Sequence, residues 1–147
     1  MIFDEPSYSE EEKNLVTRFE RNVAEQSVCY FDEEEYVIIF DYYIDKEDVK
    51  TCEILLQHAE SQHPFSPDIM DCRARLLAAT GNFEKALHIA ENALKIDGQN
   101  VDILLTKGKI LLHIDKKEEA DLIFEKMIRQ EDSDLDATLI EIGIAYR

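Results

Sequence analysis

Four histidines and three cysteines are the side chains of this 147-residue sequence that could bind a metal or attack a substrate. His58 and His63 are five residues apart, whereas two zinc ligands on one helix usually stand three or four apart. The cysteines, Cys29, Cys52 and Cys72, have no CxxC spacing, which argues against both a disulfide framework and a zinc site. We therefore predict no metal and no cofactor, and we expect each cysteine to act as a small buried apolar side chain.

Carboxylates are the other reactive groups, with 33 Asp and Glu against 16 Lys and Arg and a formal net charge of −17. They are too numerous for any one pair to mark a general acid and base. No phosphate-binding loop, GxGxxG or GxSxG motif occurs, so we predict that the chain is not an enzyme. The acidic balance also argues against nucleic acid and anionic membrane surfaces as partners, because both require a basic patch.

The N-terminal residues are acidic and lack the basic and apolar segments of a signal peptide. No apolar run approaches the roughly 18 residues that a membrane span requires. We expect no membrane insertion and a cytoplasmic protein, or a periplasmic one if a signal peptide has been removed.

Apolar residues recur at steps of three or four along nearly the whole chain, which predicts helices. Only four glycines and three prolines interrupt them. Residues that cap helix N-termini predict where these helices start: Ser9, Asp32, Ser66, Asn82, Asn100, Asp115, and Ser133 or Asp134. The matching ends are expected near residues 27, 45, 80, 96, 114 and 129, with the last helix reaching the chain end.

The sequence aligns with itself at a period of 34 residues. One set of small residues at this spacing is Cys52, Ala86 and Ala120. A second set with the same spacing is Ala59, Ala93 and Met127. This period has room for two helices of about 14 residues and two short turns. Each such pair would expose apolar faces on two sides, so neighbouring pairs must stack.

A 34-residue helix–turn–helix repeat of this kind resembles the tetratricopeptide repeat (TPR). Residues 66–100 match best, through Ala74, the segment Gly81-Asn82-Phe83-Glu84-Lys85-Ala86, and the ending Ala93-Leu94-Lys95-Ile96-Asp97. The resemblance is to TPR segments of bacterial scaffold proteins, and it implies an all-α, right-handed solenoid of seven or eight helices. A capping helix at about 9–27 would occupy an N-terminal segment, 1–32. The solenoid would span 33–147, with repeats at about 33–66, 67–100 and 101–134 and a partial one at 135–147.

Three residues depart from the family pattern. Phe40 stands where Ala74 and Gly108 are small, so the first repeat must cross its helices differently. Arg73 and Lys107 occupy positions that are usually aliphatic, and we expect their stems to pack while their heads reach water.

In the family, a partner usually lies along the concave groove that the first helix of each pair lines. The corresponding positions here are Glu34, Val37, Asp41, Asp68, Asp71, Arg75, Asp102, Leu105 and Lys109. Chaperone-binding members clamp a C-terminal carboxylate with Lys and Asn, but Asp71 and Leu105 stand where such residues would be useful. The resemblance therefore implies a non-catalytic scaffold whose groove prefers a peptide or partner helix with basic and apolar residues.

Other roles remain open. The predicted last helix has apolar residues on more than one face, including Ile140 and Ile144, which indicates either a segment of a longer array or a homodimer. The chain could also be a regulatory domain attached to an enzyme or to a transport or secretion assembly. A solvated groove without any ligand is a further alternative.

Overall fold

In a computed structural model, residues 8–130 and 142–146 are described, and every regular element among them is helical. Residues 142–145 form a further helical turn. Seven helices have defined bounds: α1 (Glu10–Ala24), α2 (Glu33–Asp45), α3 (Val49–Gln62), α4 (Pro67–Ala79), α5 (Phe83–Ile96), α6 (Val101–His113) and α7 (Lys117–Gln130). This confirms the predicted all-α helical solenoid. The predicted helix start at Ser133 or Asp134 lies outside the described residues.

Side-chain caps begin most of these helices where the sequence predicts them. Ser9 and Asp32 both form capping boxes with the glutamate three residues later, and the Glu35 backbone N–H donates to Asp32 at 2.8 Å. Ser66 and Asn100 also accept backbone N–H bonds at the starts of α4 and α6. Each cap satisfies an N–H group that has no partner within the helix.

Two predicted boundaries are wrong. The first helix ends at Ala24 rather than near residue 27, so Val28 lies in the following connection and is 84% exposed. Asp115 does not cap α7, because its backbone is left-handed with φ +61° and the helix begins two residues later, at Lys117. A helix cap needs an extended backbone, which a left-handed residue does not provide.

The helices form two layers. The first helices of the three pairs, α2, α4 and α6, contact one another in sequence, and the second helix of each pair packs against its own first helix. The α3 helix also contacts α4, and α5 contacts α6, so the second helices of the first two pairs each contact two first helices. Because the inner helices pack side by side, they form a continuous surface on one side of the solenoid.

The 34-residue period is a period of burial. Cys52, Ala86 and Ala120 each have no measurable exposure, and the register of Ala59, Ala93 and Met127 is at most 1% exposed. Small side chains at these positions allow the helices to approach closely, and neighbouring large side chains fill the remaining space.

The size of the side chains at one helix crossing differs from pair to pair. An added Cβ at Gly108 would lie 2.5 Å from the Phe124 ring, so the glycine makes room for that ring. The residues 34 positions earlier, Ala74 and Ala90, are both small and share one core cluster. In the first pair the residue equivalent to Gly108 is Phe40, which is fully buried.

Left-handed residues mark the turn inside every pair. Glu47, Gly81 and Asp115 have φ values of +58°, +85° and +61°, and they are spaced 34 residues apart. The N–H of the next residue donates to a carbonyl five positions back, as from Asn82 to Leu77 at 2.8 Å. This hydrogen bond closes the first helix of each pair and sets the direction of the second.

Arg73 does not extend into water as expected. Its guanidinium donates to both Glu60 carboxylate oxygens, at 2.7 and 3.0 Å, and also pairs with Glu53. Lys107, one repeat later, lies 3.6 Å from Glu91. In both cases a cation on an inner helix contacts a carboxylate of the preceding outer helix, which ties adjacent pairs together.

The α1 helix covers the start of the solenoid. Val16 and Phe19 are buried in the same core as Phe31 and Tyr43, and the Tyr43 hydroxyl donates to Glu20 at 2.9 Å.

The left-handed turns predict that introducing glycine stabilises the fold and that removing glycine destabilises it. Asp115→Gly should raise the free energy of unfolding by about 0.5–1 kcal/mol, because glycine adopts positive φ without a Cβ clash. Gly81→Ala should lower it by about 1 kcal/mol for the same reason. Urea unfolding followed by circular dichroism measures both, and equal effects of the two changes would contradict the assignment.

The Gly108 contact predicts that Gly108→Ala costs about 1–3 kcal/mol, since the Phe124 ring must move. Gly143→Ala is the control, because no atom lies within 4 Å of its added Cβ. The destabilisation by Gly108→Ala should be smaller when Phe124 is replaced by leucine. A double-mutant cycle on unfolding free energies measures this coupling. Additive effects would exclude the proposed clash.

Candidate functional site

A concavity with a volume of about 1320 Å³ runs across the inner face of α2, α4 and α6. All nine groove residues predicted from the sequence line it. It also has apolar and aromatic lining that the sequence reading did not include: Ile38, Phe83, Val101, Ile110 and Met127. Phe83 and Met127 come from the outer helices, so only the packing of the pairs brings them to the groove.

The nine residues form three rows of three, because equivalent positions on the inner helices are 34 residues apart. The rows are Glu34, Asp68 and Asp102; then Val37, Asp71 and Leu105; then Asp41, Arg75 and Lys109. The first row is acidic throughout, the second is apolar except at its centre, and the third carries both signs of charge.

The acidic row lies in the first turn of each inner helix. Carboxylates there complement the partial positive charge of the helix N-terminus, which is a structural reason for the row. Asp68 also accepts a hydrogen bond from the Asn100 amide at 3.1 Å, a contact between adjacent pairs. Glu34 and Asp102 are exposed and face the groove opening.

The third row contains an ion pair that spans two inner helices. Arg75 lies 2.8 Å from Asp41, and its guanidinium stands over the Phe40 ring at 5.1 Å. Burial raises the pKa of the Asp41 carboxyl, although Arg75 acts in the opposite direction. The pair therefore neutralises one of the two permanent cations of the groove, and Lys109 is the other.

Asp71, at the centre of the middle row, is only 6% exposed. Its Oδ1 atom has no hydrogen-bond partner among the described residues. Burial raises the pKa of Asp71 to about 7, although a hydrogen bond from Thr106 and the charge of Arg75 act in the opposite direction. The neighbouring Asp102 and Asp68 raise it further. The sequence analysis placed this carboxyl in the groove but gave no signal of its burial, which arises because α4 lies between α2 and α6.

One end of the groove has an aromatic surface. The Phe83 ring stacks on the His113 imidazole, with centroids 5.0 Å apart and planes 12° apart. Both residues line the concavity, so this end offers a flat face for an apolar or aromatic side chain.

The cysteines and His63, which are potential metal ligands or nucleophiles in the sequence, are at least partly buried. Cys52 and Cys72 are buried, Cys29 is partly buried, and burial raises the pKa of the Cys52 thiol to about 11. His63 lies 2.8 Å from the Phe31 carbonyl. Within residues 8–130 and 142–146, no three His, Cys, Asp or Glu side chains are grouped to hold a metal ion. None of the described helices is long and apolar enough to cross a membrane.

The predicted self-association surface is only partly described. Ile144 is 46% exposed, whereas Ile140 lies outside the described residues. Ile142, between them, packs into the core of the last pair with Phe124 and Met127. Self-association through this segment stays a prediction.

The buried carboxyl predicts a pH-dependent cost to stability. Because the pKa of Asp71 is raised on folding, the folded state keeps a proton that the unfolded state loses between about pH 4 and 7. Asp71 therefore stabilises the fold less as the pH rises through this range. Asp71→Asn should raise the free energy of unfolding relative to wild type by roughly 2–4 kcal/mol at pH 8 and by much less at pH 5. Paired urea unfolding curves measure the difference, and a constant difference would contradict the assignment.

Comparison with known proteins supports the predicted repeat of helix pairs. A family model described as tetratricopeptide repeat matches residues 77–139, which include α5, α6 and α7. No curated protein matches the chain. Tetratricopeptide repeats generally mediate protein–protein interaction. The 34-residue period and the stacked helix pairs agree with this match, so the chain carries tetratricopeptide repeat sequence over residues 77–139.

Proposed function

We propose that the chain is a non-catalytic scaffold whose inner groove binds an extended segment or a helix of a partner protein that is rich in basic and apolar residues. The observation that carries this proposal is the charge of the groove lining. Six carboxylates line it against two permanent cations, and Asp41 already neutralises one of these, Arg75. Charge complementarity favours a cationic partner and raises its rate of association.

The size of the concavity supports a peptide rather than a small molecule. Pockets for small ligands are usually about 300–1000 Å³, and this groove exceeds that range. Apolar positions alternate with charged ones across it, from Val37 on α2 to Leu105 on α6. A partner segment that presents apolar and basic side chains in turn could meet both kinds of position.

The contacts of the reactive groove side chains support a role without catalysis. His113 is stacked on Phe83, and the Thr106 hydroxyl donates to the backbone carbonyl of Asp102 at 3.1 Å. Nucleophilic catalysis needs a nucleophile that a nearby base activates. The described groove lining contains no serine or cysteine to act as that nucleophile.

Synthetic peptides test the proposal directly. Fluorescein-labelled 12-residue peptides that combine leucine with lysine should bind and raise the fluorescence anisotropy. Versions with glutamate in place of lysine should not. The affinity should fall when salt is raised from 50 to 500 mM, because exposed charges are screened. Equal binding of the basic and acidic peptides would overturn the proposal.

A charge-reversal pair locates the binding surface. Asp102→Lys changes an exposed groove carboxylate and should weaken the basic peptide by about tenfold, the effect of roughly 1.4 kcal/mol. Glu118→Lys makes the same change at an exposed position of α7 outside the groove lining, and it should leave the affinity within twofold. Similar losses in both variants would show that binding depends on overall charge rather than on the groove.

A further inference from the structure

Asp71 has the one buried carboxyl among the described residues, and the buried side chains of Ser66 and Thr106 are neutral. Its Oδ1 lacks a hydrogen-bond partner among the described residues. Buried charged groups in folded proteins are nearly always paired, because an unpaired one keeps the full cost of desolvation. A carboxylate in this state needs an explanation beyond packing.

The register of the repeat makes packing a poor explanation. Val37 and Leu105 occupy the positions equivalent to Asp71, 34 residues before and after it. Both belong to the apolar middle row of the groove. A valine or leucine at position 71 would continue this row without burying a charge, so the carboxylate does not serve stability.

The chain does not supply the missing cation itself. Arg75 lies one helical turn from Asp71 on α4, but its guanidinium is held by Asp41 at 2.8 Å and lies against the Phe40 ring. Within the described residues, no Lys, Arg or His nitrogen lies within 4 Å of Asp71. The groove thus contains a buried carboxyl that has no ion-pair partner within 4 Å among the described residues.

We propose that Asp71 is the anchor for one lysine or arginine side chain of the bound partner segment, which enters between α4 and α6 and pairs with the Asp71 carboxylate. This proposal rests on the groove being the binding site. Asp68 and Asp102 flank the entry and guide the cation, and Asp71 supplies the short contact. A buried charge-assisted hydrogen bond is stronger than the exposed ones around it, so one side chain contributes most of the specificity.

Anchoring makes binding depend on pH. The groups that face Asp71 are Asp68 and Arg75 on α4, Asp102 and Thr106 on α6, and Asp41 on α2 through its pair with Arg75. The α3 and α5 helices contribute no ionisable side chain to the groove lining. Since burial raises the pKa of Asp71 to about 7, the empty site is protonated below that pH and must lose the proton to bind a cation. The affinity should therefore rise about tenfold from pH 6 to pH 8.

The first experiment compares two neutral substitutions in the same groove. Asp71→Asn should weaken the lysine–leucine peptide by at least tenfold and should abolish the rise in affinity between pH 6 and pH 8. Glu34→Gln removes the same charge from an exposed position and should cost less than threefold with the pH dependence kept. Equal losses in the two variants, or a pH dependence that survives Asp71→Asn, would overturn the anchor while leaving groove binding intact.

The second experiment needs no peptide. Carbon-13 NMR of the Asp71 carboxyl in the free chain gives its pKa with and without n-butylammonium or methylguanidinium, which mimic the ends of lysine and arginine. Either cation should lower the pKa of Asp71. A shift with no peptide binding would reject the proposed segment and keep the anchor site, whereas no shift in the pKa of Asp71 would reject the anchor.

Discussion

Close packing of small side chains at a fixed interval of 34 residues is the constraint on which the molecule depends. Cys52, Ala86 and Ala120 have no exposed surface, and the left-handed turns at Glu47, Gly81 and Asp115 return the chain at the same interval. Together they give each pair a similar geometry, so successive inner helices meet side by side. The groove follows from that stacking, because no single pair has a concave face of its own.

The backbone of the repeat is regular along the groove, whereas the side chains at equivalent positions differ in charge and polarity. Equivalent positions fall into rows, and the acidic row at the helix N-termini is nearly the same in each pair. The middle row changes from Val37 to Asp71 to Leu105, and the third from Asp41 to Arg75 to Lys109. The backbone holds these positions in place, so single substitutions can tune the charge of the groove without changing its shape.

Stability and recognition place opposite demands on the central helix. The α4 helix contacts both α2 and α6, and it carries the one buried carboxyl among the described residues. A carboxylate there weakens the isolated chain, whereas a partner cation would remove that cost on binding. Arg75 is a second charged residue of α4 in the groove, and Asp41 neutralises its charge within the chain.

The sequence by itself determined the helices, their period and the set of side chains on the inner face. Those features depend on local caps and on apolar spacing, which the residues at each position fix directly. Only the tertiary structure decided which inner-face groups are buried and paired: Asp71 without a partner at Oδ1, Arg75 held by Asp41, and Arg73 held by two glutamates. It also brought Phe83 and Met127 into the groove. Burial and pairing depend on how neighbouring helices approach one another, and no pattern within a single helix encodes that approach.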